Sequence, residues 1–141
     1  MQLTRHTDFA LRVLLYLAKN ADQHCAISAI AAHYGISHNH LMKVVHQLGK
    51  KGFVTAVRGR YGGIKLAREP GDINIGEVVL AMESDLSIAA CGTCRIGGDC
   101  GLQGLFGQAL SAFLDVLRRY SLADIAARTG ALPAKSMSAL L

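Results

Sequence analysis

The sequence predicts a mainly α-helical fold with a small β-wing, a winged helix-turn-helix followed by a long dimerisation helix. Three observations carry this. Apolar residues recur at helical spacing in several segments that glycines separate. Two helical segments, each with a serine near its start, are joined only by Gly35-Ile36-Ser37. A β-rich hairpin, FVTAV-RGRYGG-IKLA, follows them directly.

Residues 5–19 read as the first helix, because Phe9, Ala10, Val13, Leu14 and Leu17 form one apolar stripe. After a polar connection, Ser28 is placed to cap a short second helix that Gly35 ends by accepting a left-handed conformation. Ser37 caps the third helix, which runs to about Lys51 on a stripe of Leu41, Val44, Val45 and Leu48, and Gly52 stops it. Residues 53–57 and 64–67 then read as two strands with a glycine turn at 58–63. Residues 73–83 lead through a bend or short strand into a helix, and 85–100 form a loop rich in glycine and cysteine. The next helix spans about 102–120. Its face of Leu102, Leu105, Phe106, Ala109, Leu110, Phe113, Leu117 and Tyr120 is broader than one intramolecular contact needs, which marks a dimerisation helix. Ser121 with Asp124 caps a final short helix. The chain therefore divides into a DNA-binding domain (1–83), a cysteine loop (84–101), a dimerisation helix with a short terminal helix (102–128) and a tail expected to be mobile (129–141).

With 51% hydrophobic and 18% charged residues, the composition excludes a disordered acidic chain. The first segment mixes charge into its apolar pattern and lacks a signal-peptide h-region. No apolar run approaches the ~18 residues that span a bilayer. A cytoplasmic protein without membrane contact is expected. The net charge of +5 is unevenly spread. Between Asp22 and Glu69 there is no acid, while Lys43, Lys50, Lys51, Arg58, Arg60, Lys65 and Arg68 all lie there. A solvated surface normally mixes signs, so this stretch calls for a polyanion, and double-stranded DNA is the expected partner. At the start of the recognition helix, Ser37, His38, Asn39, His40 and Lys43 are placed to reach base edges. Asn39 has the chemistry to pair adenine, and Lys43 to meet guanine or phosphate. In the wing, Arg58 and Arg60 suit a narrow minor groove, and Tyr61 and Lys65 suit the backbone. Two-fold symmetry in the protein implies an operator of two half-sites.

Cys25 stands alone in apolar company and reads as a small buried hydrophobe. Cys91, Cys94 and Cys100 differ, because CGTCRIGGDC gathers three thiols in ten residues with glycines between them. Disulfides are not expected in a cytoplasmic chain. Zinc, an iron–sulfur cluster, or redox-active thiols each fit the spacing. No Cys or His follows Cys100, so a fourth ligand must come from elsewhere.

The segments MQLTRHTDFALRVLLYLA, GISHNHLMKVVHQLGKKGFV, VRGRYGGIKLA and INIGEVV together resemble the Rrf-type family of bacterial iron–sulfur transcription regulators, over residues 1 to about 125. Within it, the nitric-oxide-sensing members are similar at MQLT, Thr7-Asp8, SHNHLMKVVHQL, TAVRGRYGGI and YSLADI. The resemblance implies a homodimer and a transcription repressor whose iron–sulfur cluster is bound by Cys91, Cys94 and Cys100. It implies Asp8 as fourth ligand, donated across the dimer, with His33 in reserve. The interval from Cys91 to Cys94 is shorter than the family usually shows; a 4Fe–4S cluster is the first expectation and 2Fe–2S the second. Nitric oxide is the implied signal. Iron supply or redox state read by the same architecture is the alternative, and a metal or electron carrier that does not bind DNA is another. An enzyme is not expected, since no nucleophile–base pairing is evident and RGRYGG sits in a hairpin rather than opening a helix.

Overall fold

The computed structural model describes residues 1–130, and the expected mobile tail lies outside the described residues from position 131 on. The helices are α1 (Arg5–Lys19), α2 (Ile27–Tyr34), α3 (His38–Lys50), α4 (Ile75–Met82), α5 (Gly101–Arg118) and α6 (Leu122–Arg128), and the strands are β1 (Val54–Val57) and β2 (Gly63–Leu66). Short 3-10 turns occupy Pro70–Asp72, Cys91–Thr93 and Gly97–Asp99. Among the described residues, no helix is long and apolar enough to cross a membrane.

Local chemistry sets most of the helix ends. Thr4 caps α1 by accepting the Thr7 amide, and Ser37 caps α3 by accepting the His40 amide at 3.2 Å. Gly35 ends α2 with φ 65°, a conformation that costs glycine least. α2 differs from the sequence expectation: it begins at Ile27, with Ala26 as an N-cap that makes no side-chain bond. Ser28 lies inside the first turn, so its hydroxyl does not cap.

The core joins the inner faces of the first three helices to the wing. Val13, Leu14 and Leu17 of α1 meet Ile30 of α2, Leu41, Val44 and Leu48 of α3, and Phe53 and Ile64 beside the sheet. β1 and β2 pair antiparallel with Val54 opposite Leu66 and Val57 opposite Gly63. Cys25 adds a third edge, exchanging bonds of 2.9 and 2.8 Å with Ile64. It is buried as the sequence suggested, and burial pushes its thiol up. Gly63 makes this approach possible. Its φ is 151°, and a Cβ there would lie 2.6 Å from the Cys25 carbonyl oxygen.

α5 leaves this body through a bonded corner. The Ile75 amide donates to Tyr120 O at 3.0 Å, the Leu122 amide to Ile73 O at 2.8 Å, and the Asn74 side chain to Arg118 O at 2.7 Å. Gly76 lets the two helices meet, since a Cβ there would sit 2.7 Å from Arg118 Cγ. The sequence groups α6 with the dimerisation helix; in the fold, Leu122 enters the common core and Ile125 packs against it. α5 itself buries only Leu114. Leu102 and Leu105 are each 56% exposed, so the predicted apolar face is uncovered at its start within one chain, while Leu117 and Tyr120 at its end pack against the core.

A second tie joins α4 to the start of α1. Glu83 accepts from the Thr4 amide at 2.6 Å, from Thr4 Oγ1 at 2.7 Å and from Thr7 Oγ1 at 2.9 Å. Burial alone would push this carboxyl up, but the bonds from Thr4 and Thr7 outweigh it and hold the group below the usual carboxylate range. A depressed carboxyl stabilises the fold above its unfolded pKa and loses that contribution as pH falls through the folded one. Glu83→Ala should therefore lower the unfolding free energy by about 1 kcal/mol at pH 7, as expected for bonds to a partly solvated carboxylate. The gap to wild type should close below about pH 4. Urea titrations at pH 7 and pH 3 measure both.

Candidate nucleic-acid interface and cysteine loop

The amphipathic pattern of α3 fixes which side chains face outward. Burying Leu41, Val44, Val45 and Leu48 leaves His38, Asn39, Met42, Lys43, His46 and Lys50 exposed. Of the residues predicted to reach DNA, His38, Asn39 and Lys43 are on this face. Ser37 is exposed and its hydroxyl serves as the cap. His40 is placed differently. It is half-buried, with its ring edge-on to Phe9 of α1 at 4.9 Å, so it seats the start of α3 against the body. His46 and Lys50 lie on the exposed face and were not among the predicted contacts. Their spacing from Lys43, three and seven residues on, was the available signal.

The wing projects beside α3. Arg58 and Arg60 are exposed at its turn, and Tyr61 is 86% exposed with the Arg60 guanidinium 5.8 Å from its ring. Gly62 is required there, since a Cβ would meet the Val57 carbonyl oxygen at 2.2 Å. Lys65 pairs with Thr55 across the sheet and is exposed with it. Arg58 shares a groove with Met42, His46 and Lys50, so the wing and the recognition helix line one surface. Among the described residues the ion pairs are Arg12–Asp8, Arg68–Glu77 and Arg118–Asp115, and none draws on α3 or the wing turn. Arg68 is committed to structure, pairing Glu77 at 3.3 Å and stacking on Phe53 at 4.8 Å. Lys43, Lys50, Lys51, Arg58, Arg60 and Lys65 thus have no acidic partner.

The three clustered cysteines lie between α4 and α5. Cys91 opens a 3-10 turn, Cys94 closes it by donating its amide to Cys91 O at 3.2 Å, and Cys100 is the N-cap residue of α5. All three thiols are free, and Cys94 is exposed. Gly92, Gly97, Gly98 and Gly101 have open space where a Cβ would be, so the loop is not packed against the body at these points. Three uncommitted soft donors on so yielding a backbone fit an iron–sulfur cluster or zinc. Within one chain, and among the described residues, no three His, Cys, Asp or Glu side chains form a preassembled metal site. Asp8 is instead held by Arg12, through Oδ2–Nη2 at 2.8 Å and Oδ1–Nε at 3.0 Å. His33 is exposed, with its ring edge-on to Tyr16 at 5.2 Å and to Tyr34 at 4.7 Å.

Comparison with known proteins agrees with this architecture. The chain is similar to CymR (YrzC), the global cysteine regulator of B. subtilis, with a TM-score of 0.79 and 24% identity over 92% of this chain and 99% of that one. It is equally similar in fold to T. potens IscR, with a TM-score of 0.79 and 23% identity over 98% and 96% of the two chains. In sequence it is 48% identical over 131 residues to the HTH-type transcriptional regulator NsrR of Bacillus licheniformis, covering 89% of this chain and 92% of that protein. The NsrR of Bacillus subtilis is 47% identical over 131 residues, covering 89% and 90%. Both NsrR proteins are named as transcriptional regulators. A family model described as an iron-dependent transcriptional regulator, Rrf2, matches residues 3–128, and the chain belongs to that family.

Proposed function

We propose that the chain is a homodimeric repressor that reads nitric oxide through an iron–sulfur cluster, 4Fe–4S in the first instance, and binds a two-fold symmetric operator. The observation that carries this reading is the adjacency of three uncommitted thiols, Cys91, Cys94 and Cys100, to the uncovered helix α5. The resemblance to nitric-oxide-sensing members of the family supports the choice of signal. Cys91, Cys94 and Cys100 would hold the cluster, with Asp8 of the second copy as fourth ligand. Bound there, a cluster would supply iron open to small ligands such as nitric oxide, and a carboxylate ligand such as Asp8 would hold that iron less firmly than a thiolate.

The chain's own residues explain how Asp8 bears on DNA binding. Arg12 holds Asp8 on α1, and its guanidinium lies 5.9 Å from the Phe9 ring and 6.0 Å from the Tyr34 ring. Phe9 in turn seats His40 at the start of α3. A change in what Asp8 binds therefore acts on side chains that support the recognition helix. Half-sites lie about 34 Å apart, so small rotations of the two recognition helices suffice to end groove insertion. An effective switch needs roughly 3–5.5 kcal/mol of differential binding.

Iron supply is the second reading, favoured by the description of the family as iron-dependent. Operator affinity of anaerobically purified protein separates the two. Nitric oxide should lower it by at least about 100-fold, with little effect from an iron chelator over the same period. Cys94→Ala should abolish the response, and because Cys94 is exposed the variant should melt as the metal-free wild type does. Affinity indifferent to nitric oxide but lost to the chelator would establish iron sensing instead.

On the DNA side, affinity should fall steeply with salt as phosphate charges are neutralised. Arg58→Ala should cost about 1–3 kcal/mol of specific binding and Lys65→Ala well under 1 kcal/mol. Equal losses in anisotropy titrations would contradict minor-groove entry by Arg58.

A further inference from the structure

We propose that Met42 reads the C5-methyl group of a thymine in the major groove and so helps set the sequence this regulator recognises. The inference rests on the DNA-binding reading of α3 and the wing. Folding accounts for the apolar stripe of α3 without Met42. Leu41, Val44, Val45 and Leu48 supply the inner face, whereas Met42 is 48% exposed. Its outward neighbours, His38, Asn39, Lys43, His46 and Lys50, are all polar or basic. A large side chain that the core does not use is thus presented from the centre of a surface free of acids.

Its position suits a base edge. Met42 follows Asn39 by three residues, about 4.5 Å along the helix axis, which is slightly more than one base-pair step. It also lines the groove that Arg58 and Ala56 share with α3, so it faces the same partner as the wing. Among major-groove edges, the thymine methyl is the apolar group. An unbranched thioether adapts its shape to such a contact and leaves the neighbouring polar side chains free to bond.

The test uses the full chain, purified anaerobically, to select its preferred duplex from random-sequence DNA. Each thymine of that duplex is then replaced singly by uracil, which lacks only the methyl group, and Kd is measured. One symmetry-related thymine should appear in each half-site at which uracil weakens the wild type roughly four-fold. Met42→Ala should bind the thymine duplex as weakly as the wild type binds the uracil duplex, and lose nothing further on uracil. Met42→Leu should keep the discrimination, and both variants should melt as the wild type does. Equal thymine–uracil ratios for wild type and Met42→Ala at every position would overturn the proposal while leaving DNA binding intact. If no duplex is enriched, the proposal and the DNA-binding reading fail together.

Discussion

The corner between α4 and α5 sets the relation between the two halves of this molecule. Ile73, Ile75, Tyr120 and Leu122 exchange backbone bonds of 2.8 to 3.0 Å there, and Asn74 adds a side-chain bond to Arg118. Gly76 brings the helices too close for any side chain between them. α5 consequently leaves the body at a fixed angle, and whatever covers its apolar face is registered against α3 and the wing. A flexible linker at this point would disconnect α5 from α3 and the wing. The same corner brings Leu122 of α6 into the common core.

The division of charge follows the same plan. The acids of the described chain lie on α1, α4, the loops and the later helices; Asp8, Glu77 and Asp115 pair with Arg12, Arg68 and Arg118, and Asp124 closes a capping box. The face formed by α3 and the wing keeps its cations unpaired. Long-range attraction to a polyanion and the discrimination of base edges are thereby given to different residues. In the proposed complex, the unpaired lysines and arginines would supply the first, and His38, Asn39 and their outward neighbours on α3 would supply the second.

Much of the fold was legible because its signals are local. The serine caps at 37 and 121, the left-handed glycine at 35 and the hairpin glycines each act within a few residues. Where two local signals competed, the reading shifted. Ser28 has the chemistry of a cap, yet backbone geometry starts α2 at Ile27, two residues before the start a Ser28 cap would give. His40 stands beside three outward residues, but it borders Leu41 on the inner edge of the helix, and the Phe9 ring claims it. The α4–α5 corner left no trace in the sequence, since Asn74 and Ser121 are brought together by tertiary pairing. The cysteine loop was legible as a donor set through its composition. Asp8 was named only through resemblance, and within one chain it is bound to Arg12, a partner that i, i+4 spacing does explain.

Cys91, Cys94 and Cys100 are proposed to hold an iron–sulfur cluster in a dimer of this chain, and native mass spectrometry of anaerobically purified protein decides it. The expected species is a dimer whose excess mass equals one 4Fe–4S unit per chain, with that excess altered by nitric oxide and absent after Cys94→Ala. A dimer carrying zinc, or a metal-free chain from the same anaerobic preparation, would contradict it and leave a winged-helix regulator whose signal lies elsewhere.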